Sequence, residues 1–187
     1  RDHRKIMVID GKVSFNGGFN MCDEYFNIDC PYGHWKDTAV RLRGDAVRNH
    51  VIMFLQMWNS IEDTDKDYSP YFEIPEYKAK DESAVEIPFS DSPLDHECVG
   101  ENVYLNIIRH ASRYVYIFTP YLIIDNEMME ALCLAAKSGV DIRIVTPGIP
   151  DKKIVYMLTK SYYPQLLEAG VRIYHYTPGF IHAKCYV

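Results

Sequence analysis

Apolar and polar positions alternate at the start of the chain, from Lys5 to Ile9 and from Val13 to Phe15, on either side of Asp10-Gly11. Alternation of this kind reads as two strands, and an Asp-Gly pair between them predicts a two-residue hairpin turn. With that turn Ile9 faces Lys12, and the register continues as Met7 opposite Ser14, Lys5 opposite Asn16 and His3 opposite Gly18. Directly paired residues point to one face of a sheet. The expected polar face therefore gathers His3, Lys5, Ser14, Asn16 and Gly18, with Asn20 just beyond, and the expected core face carries Ile6, Val8, Val13 and Phe15.

The period then changes along the chain. Asp37 to Leu42 reads as a strand, and Asp45 to Ile61 has helical spacing, with Val47, Val51, Phe54, Leu55 and Trp58 on one side. A polar, acidic stretch broken by Pro70 and Pro75 follows and reads as a linker. Beyond it come a short strand over Ala84–Phe89, a helix over Glu101–Ala111 and a strand over Val115–Thr119. Asp125 or Asn126 is placed to cap a helix that runs to Lys137 and stops at Gly139. Asp141–Thr146 is the next strand, and Asp151 is placed to cap a helix reaching toward Gly170. Pro164 breaks that helix or opens a second one. Val171–Tyr176 and His182–Val187 close the chain as strands. The expected fold class is α/β, a mixed, largely parallel sheet flanked by helices. The expected division is residues 1–62, a linker over 63–83, and residues 84–187.

The totals narrow the field. At 187 residues and 48% hydrophobic the chain can bury a real core. No run approaches the ~20 apolar residues that span a bilayer. The formal charge of −6 disfavours nucleic acid as a partner. Five scattered cysteines without a CxxC pair argue against zinc and against a disulfide framework, and suit a reducing compartment.

The two ends share a pattern. His3-x-Lys5 followed by Met7-Val8 is matched by His182-x-Lys184 followed by Tyr186-Val187, each pair 179 positions apart (182 less 3, 184 less 5). Two such pairs, each entering a hydrophobic strand, suggest an internal duplication. Their chemistry suits a phosphodiester. Lys5 and Lys184 offer fixed positive charge, and Asn20 and backbone N–H groups offer hydrogen bonds. An unperturbed imidazole has its pKa near neutrality, which suits His3 and His182 to attack or to shuttle a proton. One histidine can attack phosphorus and the other can protonate the departing alcohol, then deprotonate the incoming one. The lysines would neutralise charge as a metal does elsewhere, so no metal or cofactor is expected.

"HRKIMVIDGKVSFNGGFN" matches the H-x-K-x4-D-x6-G-G-x-N motif of the phospholipase D superfamily, through His3, Lys5, Asp10, Gly17, Gly18 and Asn20. "HAKCYV" resembles the start of a second copy, whose Asp would fall two residues past Val187. "GFNMCDEYF", "HWKDTAVRLRG" and the stretch from "IFTPYLIIDNEMM" to "GFIHAK" resemble bacterial cardiolipin synthases. The resemblance implies a pseudo-twofold, two-lobe fold, incomplete in this piece. It implies conversion of two phosphatidylglycerol molecules into cardiolipin plus glycerol through a phosphohistidine. It also implies membrane-associated helices upstream and the bacterial cell membrane as location. It points to His3 as nucleophile, His182 as general acid/base and Asp37 as a carboxylate that orients a catalytic histidine.

Each residue also has an ordinary reading. Asp10 sits where turns favour Asp, so a structural part is expected for it despite its place in the motif. Gly17 and Gly18 can be simple strand-end glycines, and Asn16 falls outside the family pattern. Asn20, Gly18 and Asn16 are the candidate phosphate-binding residues. Trp35 reads as core, Tyr121 as a possible pocket wall, and His34, His50, His96, His110 and His175 as structural or solvated. Two other activities compete with the transferase: a phospholipase D-type hydrolase of lipid or nucleic acid, and an inactive lobe that only binds lipid.

Overall fold

The structure is a computed structural model that describes residues 2–62, 66–73, 77–78, 85–92 and 96–187. The chain forms two compact units, residues 1–17 with 39–97, and residues 18–38 with 98–187. The division expected at residues 62 and 84 does not follow these units. Residues 18–38 join the second because they hold a short strand, β3 (His34–Lys36), that pairs with a strand near the end of the chain.

In the first unit, β1 (Ile6–Ile9), β2 (Val13–Gly17) and β4 (Ala39–Arg43) form an antiparallel sheet in the order β1-β2-β4. Asp10 and Gly11 make the expected turn, both at positive φ (52° and 63°), closed by Lys12 N–H donating to Ile9 O at 2.9 Å. The register differs from the expected one. Ile9 pairs with Val13, Val8 with Ser14, Met7 with Phe15 and Ile6 with Asn16, so Lys12 is an extra, unpaired residue. A shift of one residue moves a strand's side chains to the other face. Ser14 therefore joins Val8 and Leu42 against the helix α1 (Val47–Asn59), instead of facing solvent with His3 and Lys5. It is fully buried and bonded to His50 Nδ1 at 2.8 Å. Val13 and Phe15, expected in the core row with Ile6 and Val8, pair with Ile9 and Met7 instead.

On α1 the buried residues are Val47, His50, Val51 and Met53, with Leu55 packed beside them. Phe54 and Trp58 stay half exposed and stack on each other at 6.0 Å. A 3-10 turn over Ser69–Phe72 brings Phe72 to the same core. The strand expected over Ala84–Phe89 does not form in its described part. Val85 and Ile87 are exposed, and Pro88, which has no N–H for a ladder, uses its carbonyl to accept from Asn49. Ala84 lies outside the described residues.

The second unit is the α/β part. Its main sheet has the order β7-β6-β5-β9, from β5 (Tyr114–Phe118), β6 (Asp141–Pro147), β7 (Arg172–Tyr176) and β9 (Cys185–Tyr186). The first three strands run parallel and β9 pairs antiparallel with β5. The helices are α2 (Val99–His110), α3 (Asn126–Lys137), α4 (Lys153–Ser161) and α5 (Tyr163–Glu168). Val115, Ile117, Ile142 and Ile144 from the sheet pack with Ile108, Leu132 and Leu166 from the helices. Burial alternates along β5 and β6, so Val115, Ile117, Ile142 and Ile144 line one face of the sheet.

Asp125 caps α3 as expected, accepting from Met128 N at 2.8 Å. Pro164 opens a second helix, α5, rather than kinking one long helix. Asp151 does not cap α4. Its Oδ2 accepts from Tyr121 Oη at 2.6 Å instead. The strand expected over His182–Val187 is shorter than that and begins later. His182 and Ala183 both donate their N–H groups to Lys36 O, at 2.7 and 3.2 Å, which ends the local ladder before β9 starts.

Candidate active site

The second unit builds a buried pair from a short parallel ladder. β3 lies beside β8 (Gly179–Ile181), with His34 opposite Gly179, Trp35 opposite Phe180 and Lys36 opposite Ile181. The next residue on each strand is Asp37 and His182. Parallel register thus brings two residues 145 positions apart off the same edge together, and His182 Nδ1 lies 2.7 Å from Asp37 Oδ2. The side chains are 1% and 11% exposed. Asp37 Oδ1 accepts from Thr38 N at 2.8 Å, so both carboxylate oxygens are engaged. A buried carboxylate requires such partners.

Gly18 is what lets the carboxylate sit there. A Cβ on Gly18 would overlap both oxygens of Asp37. Gly18 is a candidate phosphate-binding residue, and the group that its missing side chain accommodates here is Asp37.

Rings enclose the imidazole. Tyr25 meets His182 edge-on at 5.2 Å, Trp35 lies at 5.4 Å and Phe180 at 6.0 Å between centroids. Trp35 is core, as expected. Tyr25 Oη accepts from Asn20 Nδ2 at 2.6 Å, so Asn20 is one hydrogen bond from a ring that touches His182. Burial pushes the Tyr25 phenol up, the Asn20 bond opposes this, and the negative charges of Asp37 and Asp151 raise it further. Tyr121 packs on Phe180 at 6.2 Å, and its phenol is pushed well above the usual range, first by burial and then by the Asp151 carboxylate that it bonds.

Lys184 completes the pair. Its Nζ donates to His182 O at 2.7 Å and lies 3.0 and 2.9 Å from the ring nitrogens Nδ1 and Nε2. The first unit repeats this local closure. Lys5 Nζ donates to His3 O at 2.7 Å and lies 3.1 Å from His3 Nδ1. Both H-x-K segments fold the ammonium back over the histidine two residues earlier. Asn16 belongs to the first unit too, where its Nδ2 donates to Lys5 O at 3.1 Å. Asp10 is exposed at the turn.

Sequence reasoning missed Tyr25, Phe180 and Asp151. Tyr25 sits on a one-turn 3-10 helix, Asp23–Phe26, which has no periodicity to betray it. Phe180 belongs to a three-residue strand, too short to stand out by pattern. Among the described residues, one group of carboxylates is close enough to hold an ion, Glu101, Asp125 and Glu127. It contains none of the motif residues. Also among these residues, no helix is long and apolar enough to cross a membrane.

Residues 104–187 match the family described as "Cardiolipin synthase, PLD-like domain". The chain is 41% identical over 185 residues to a cardiolipin synthase of Halalkalibacterium halodurans, covering 98% of this chain and 36% of that protein. Residues 104–187 therefore carry a phospholipase D-like domain. The chain is also 56% identical over 189 residues to an uncharacterized protein of Streptococcus mutans, covering 100% of this chain and 40% of that one. It therefore spans well under half the length of these relatives. The phospholipase D-like fold is shared with a crystal structure of phosphatidylserine synthase from Haemophilus influenzae, at a TM-score of 0.61 and 14% identity, over 99% of this chain and 51% of that one.

Proposed function

We propose that the protein containing this chain is a phosphatidyltransferase that converts two phosphatidylglycerol molecules into cardiolipin and glycerol at a membrane surface. The observation that carries the reading is the Asp37–His182 hydrogen bond. Donating Nδ1–H to a buried carboxylate leaves Nε2 as the nitrogen that gains and loses a proton. The carboxylate also stabilises the imidazolium, as in other acid/base pairs of this design. Resemblance to cardiolipin synthases supports the choice of substrates.

In this reading an imidazole nitrogen of His3 attacks phosphorus and the P–O bond to the glycerol headgroup breaks. Protonated His182 gives its Nε2 proton to the glycerol oxygen. Neutral His182 then takes the proton of a hydroxyl on a second phosphatidylglycerol, whose oxygen attacks phosphorus as the P–N bond breaks. Cardiolipin leaves and both histidines return to their starting states. Lys5 and Lys184 offset the charge on the phosphoryl oxygens. Asn20, Gly18 and Asn16 remain candidates for phosphate contact. The duplication belongs to the same proposal, with residues 1–62 and 84–187 as portions of successive copies.

The test uses the full-length protein with phosphatidylglycerol vesicles. Cardiolipin and glycerol should form in equal amounts. His3→Ala should abolish both turnover and labelling of the protein by the phosphatidyl group. Phosphatidic acid without cardiolipin would establish the hydrolase instead, and an active His3→Ala protein would overturn the phosphohistidine.

A further inference from the structure

We infer that the outer face of α4 is a membrane-contact surface that meets an anionic phospholipid bilayer beside the candidate active site. The helix is held on its inner side, where Thr159 is fully buried and its Oγ1 accepts from Leu122 N at 3.1 Å. On the outer side Ile154, Met157 and Leu158 are 83%, 67% and 44% exposed. Their spacing of i, i+3 and i+4 makes one apolar stripe. Lys153 and Lys160, one position before and two after that stripe, border it, and Lys152 stands at the helix start. An apolar stripe edged by lysines is the pattern of a helix lying in a lipid interface.

Charge selects the occupant. The chain as a whole carries −6 and would be repelled by an anionic surface. Residues 149–163 reverse the sign, with three lysines against one Asp (3 − 1 = +2). That Asp, Asp151, is engaged by Tyr121. Each lysine near an anionic bilayer strengthens binding about fivefold. Position agrees with charge. Lys152 Nζ lies over the Tyr121 ring at 5.5 Å, Tyr121 packs on Phe180, and Phe180 packs on His182. The helix thus begins three side-chain contacts from the histidine, where a lipid headgroup would have to be delivered.

The inference borrows from the proposed function only the choice of lipid, and its test does not depend on turnover. In the full-length protein, Met157→Trp adds an indole on the stripe, and Leu134→Trp adds one on the exposed side of α3 as a control. With vesicles of brominated phosphatidylglycerol, the added emission at 157 should shift to the blue and lose at least half its intensity, while that at 134 should stay unquenched. Brominated phosphatidylcholine should quench position 157 several-fold less. Replacing Lys152, Lys153 and Lys160 by Gln should remove that difference between lipids. An indole at 157 that is unquenched in phosphatidylglycerol, whether dry or wet, overturns the inference, because protein or water then covers the stripe. Equal quenching by both lipids overturns the charge argument. Quenching at 157 without cardiolipin formation would sink the proposed activity and leave this surface standing.

Discussion

Asp37 Oδ2 and His182 Nδ1 meet at 2.7 Å at the ends of two strands that run parallel, one from each end of the chain. The carboxylate is sealed from solvent and its other oxygen is taken by a backbone N–H. The pair is therefore directional. It holds Nδ1 against the carboxylate and leaves Nε2 beside Lys184 Nζ, 2.9 Å away.

Replacing Asp37 by Asn keeps the shape and removes the charge that stabilises the imidazolium. With the proposed reaction as the assay, the full-length protein should lose about a hundredfold or more in kcat. The KM for phosphatidylglycerol should change little, and the pH profile of kcat should shift. An Asp37→Asn protein with unaltered kcat and pH profile would show that the carboxylate only packs.

Gly18→Ala tests the close approach. Its Cβ would overlap both Asp37 oxygens, so the carboxylate or the Gly18 backbone has to move. Overpacking of this kind costs about 1–3 kcal/mol. The expected outcome is a melting temperature lower by several degrees together with a fall in kcat. A variant that melts like the parent would mean that the site relaxes freely.

His50 makes stability depend on pH. Burial holds the pKa of this histidine below its ordinary value. The unfolded chain therefore binds the proton first as pH falls, and its contribution to stability is complete above about 6.5, the unperturbed value, and is lost as pH falls below it. Denaturant midpoints between pH 7 and 5 should drop more steeply for the parent than for His50→Asn, once other groups are subtracted as the common baseline. Parallel slopes would remove His50 from the account.

Lys12 is the extra, unpaired residue in the loop of the first hairpin. Lys12→Ala should be within about 0.5 kcal/mol of the parent, as surface substitutions usually are. Deleting Lys12 should also be tolerated, because a two-residue Asp10-Gly11 loop still places Ile9 opposite Val13 and Ser14 opposite Val8, so Ser14 keeps its bond to His50. Circular dichroism and thermal melting of the two variants decide this. A deletion that melts far below Lys12→Ala would mean that the hairpin needs its third loop residue to hold the Val8–Ser14 pairing.

The chain's own order of residues determined a good deal. Strong apolar runs bounded by Asp125, Gly139 and Pro164 located the helices and strands of the second unit, because helix caps and breakers act on neighbouring residues. The repeated H-x-K pairs and the Asp10-Gly11 turn were legible for the same reason: each is a short-range signal. Tertiary structure decided the rest. One extra residue at Lys12 inverted the faces of a hairpin whose turn had been read correctly, and strand pairing is a contact between segments that alternation alone does not register. Gly18 and Asp37 were each visible, but their contact was not. Asp37 meets His182 only because β3 leaves its neighbours in the sequence to pair with β8, and no local pattern encodes a three-residue strand whose partner lies 145 positions away.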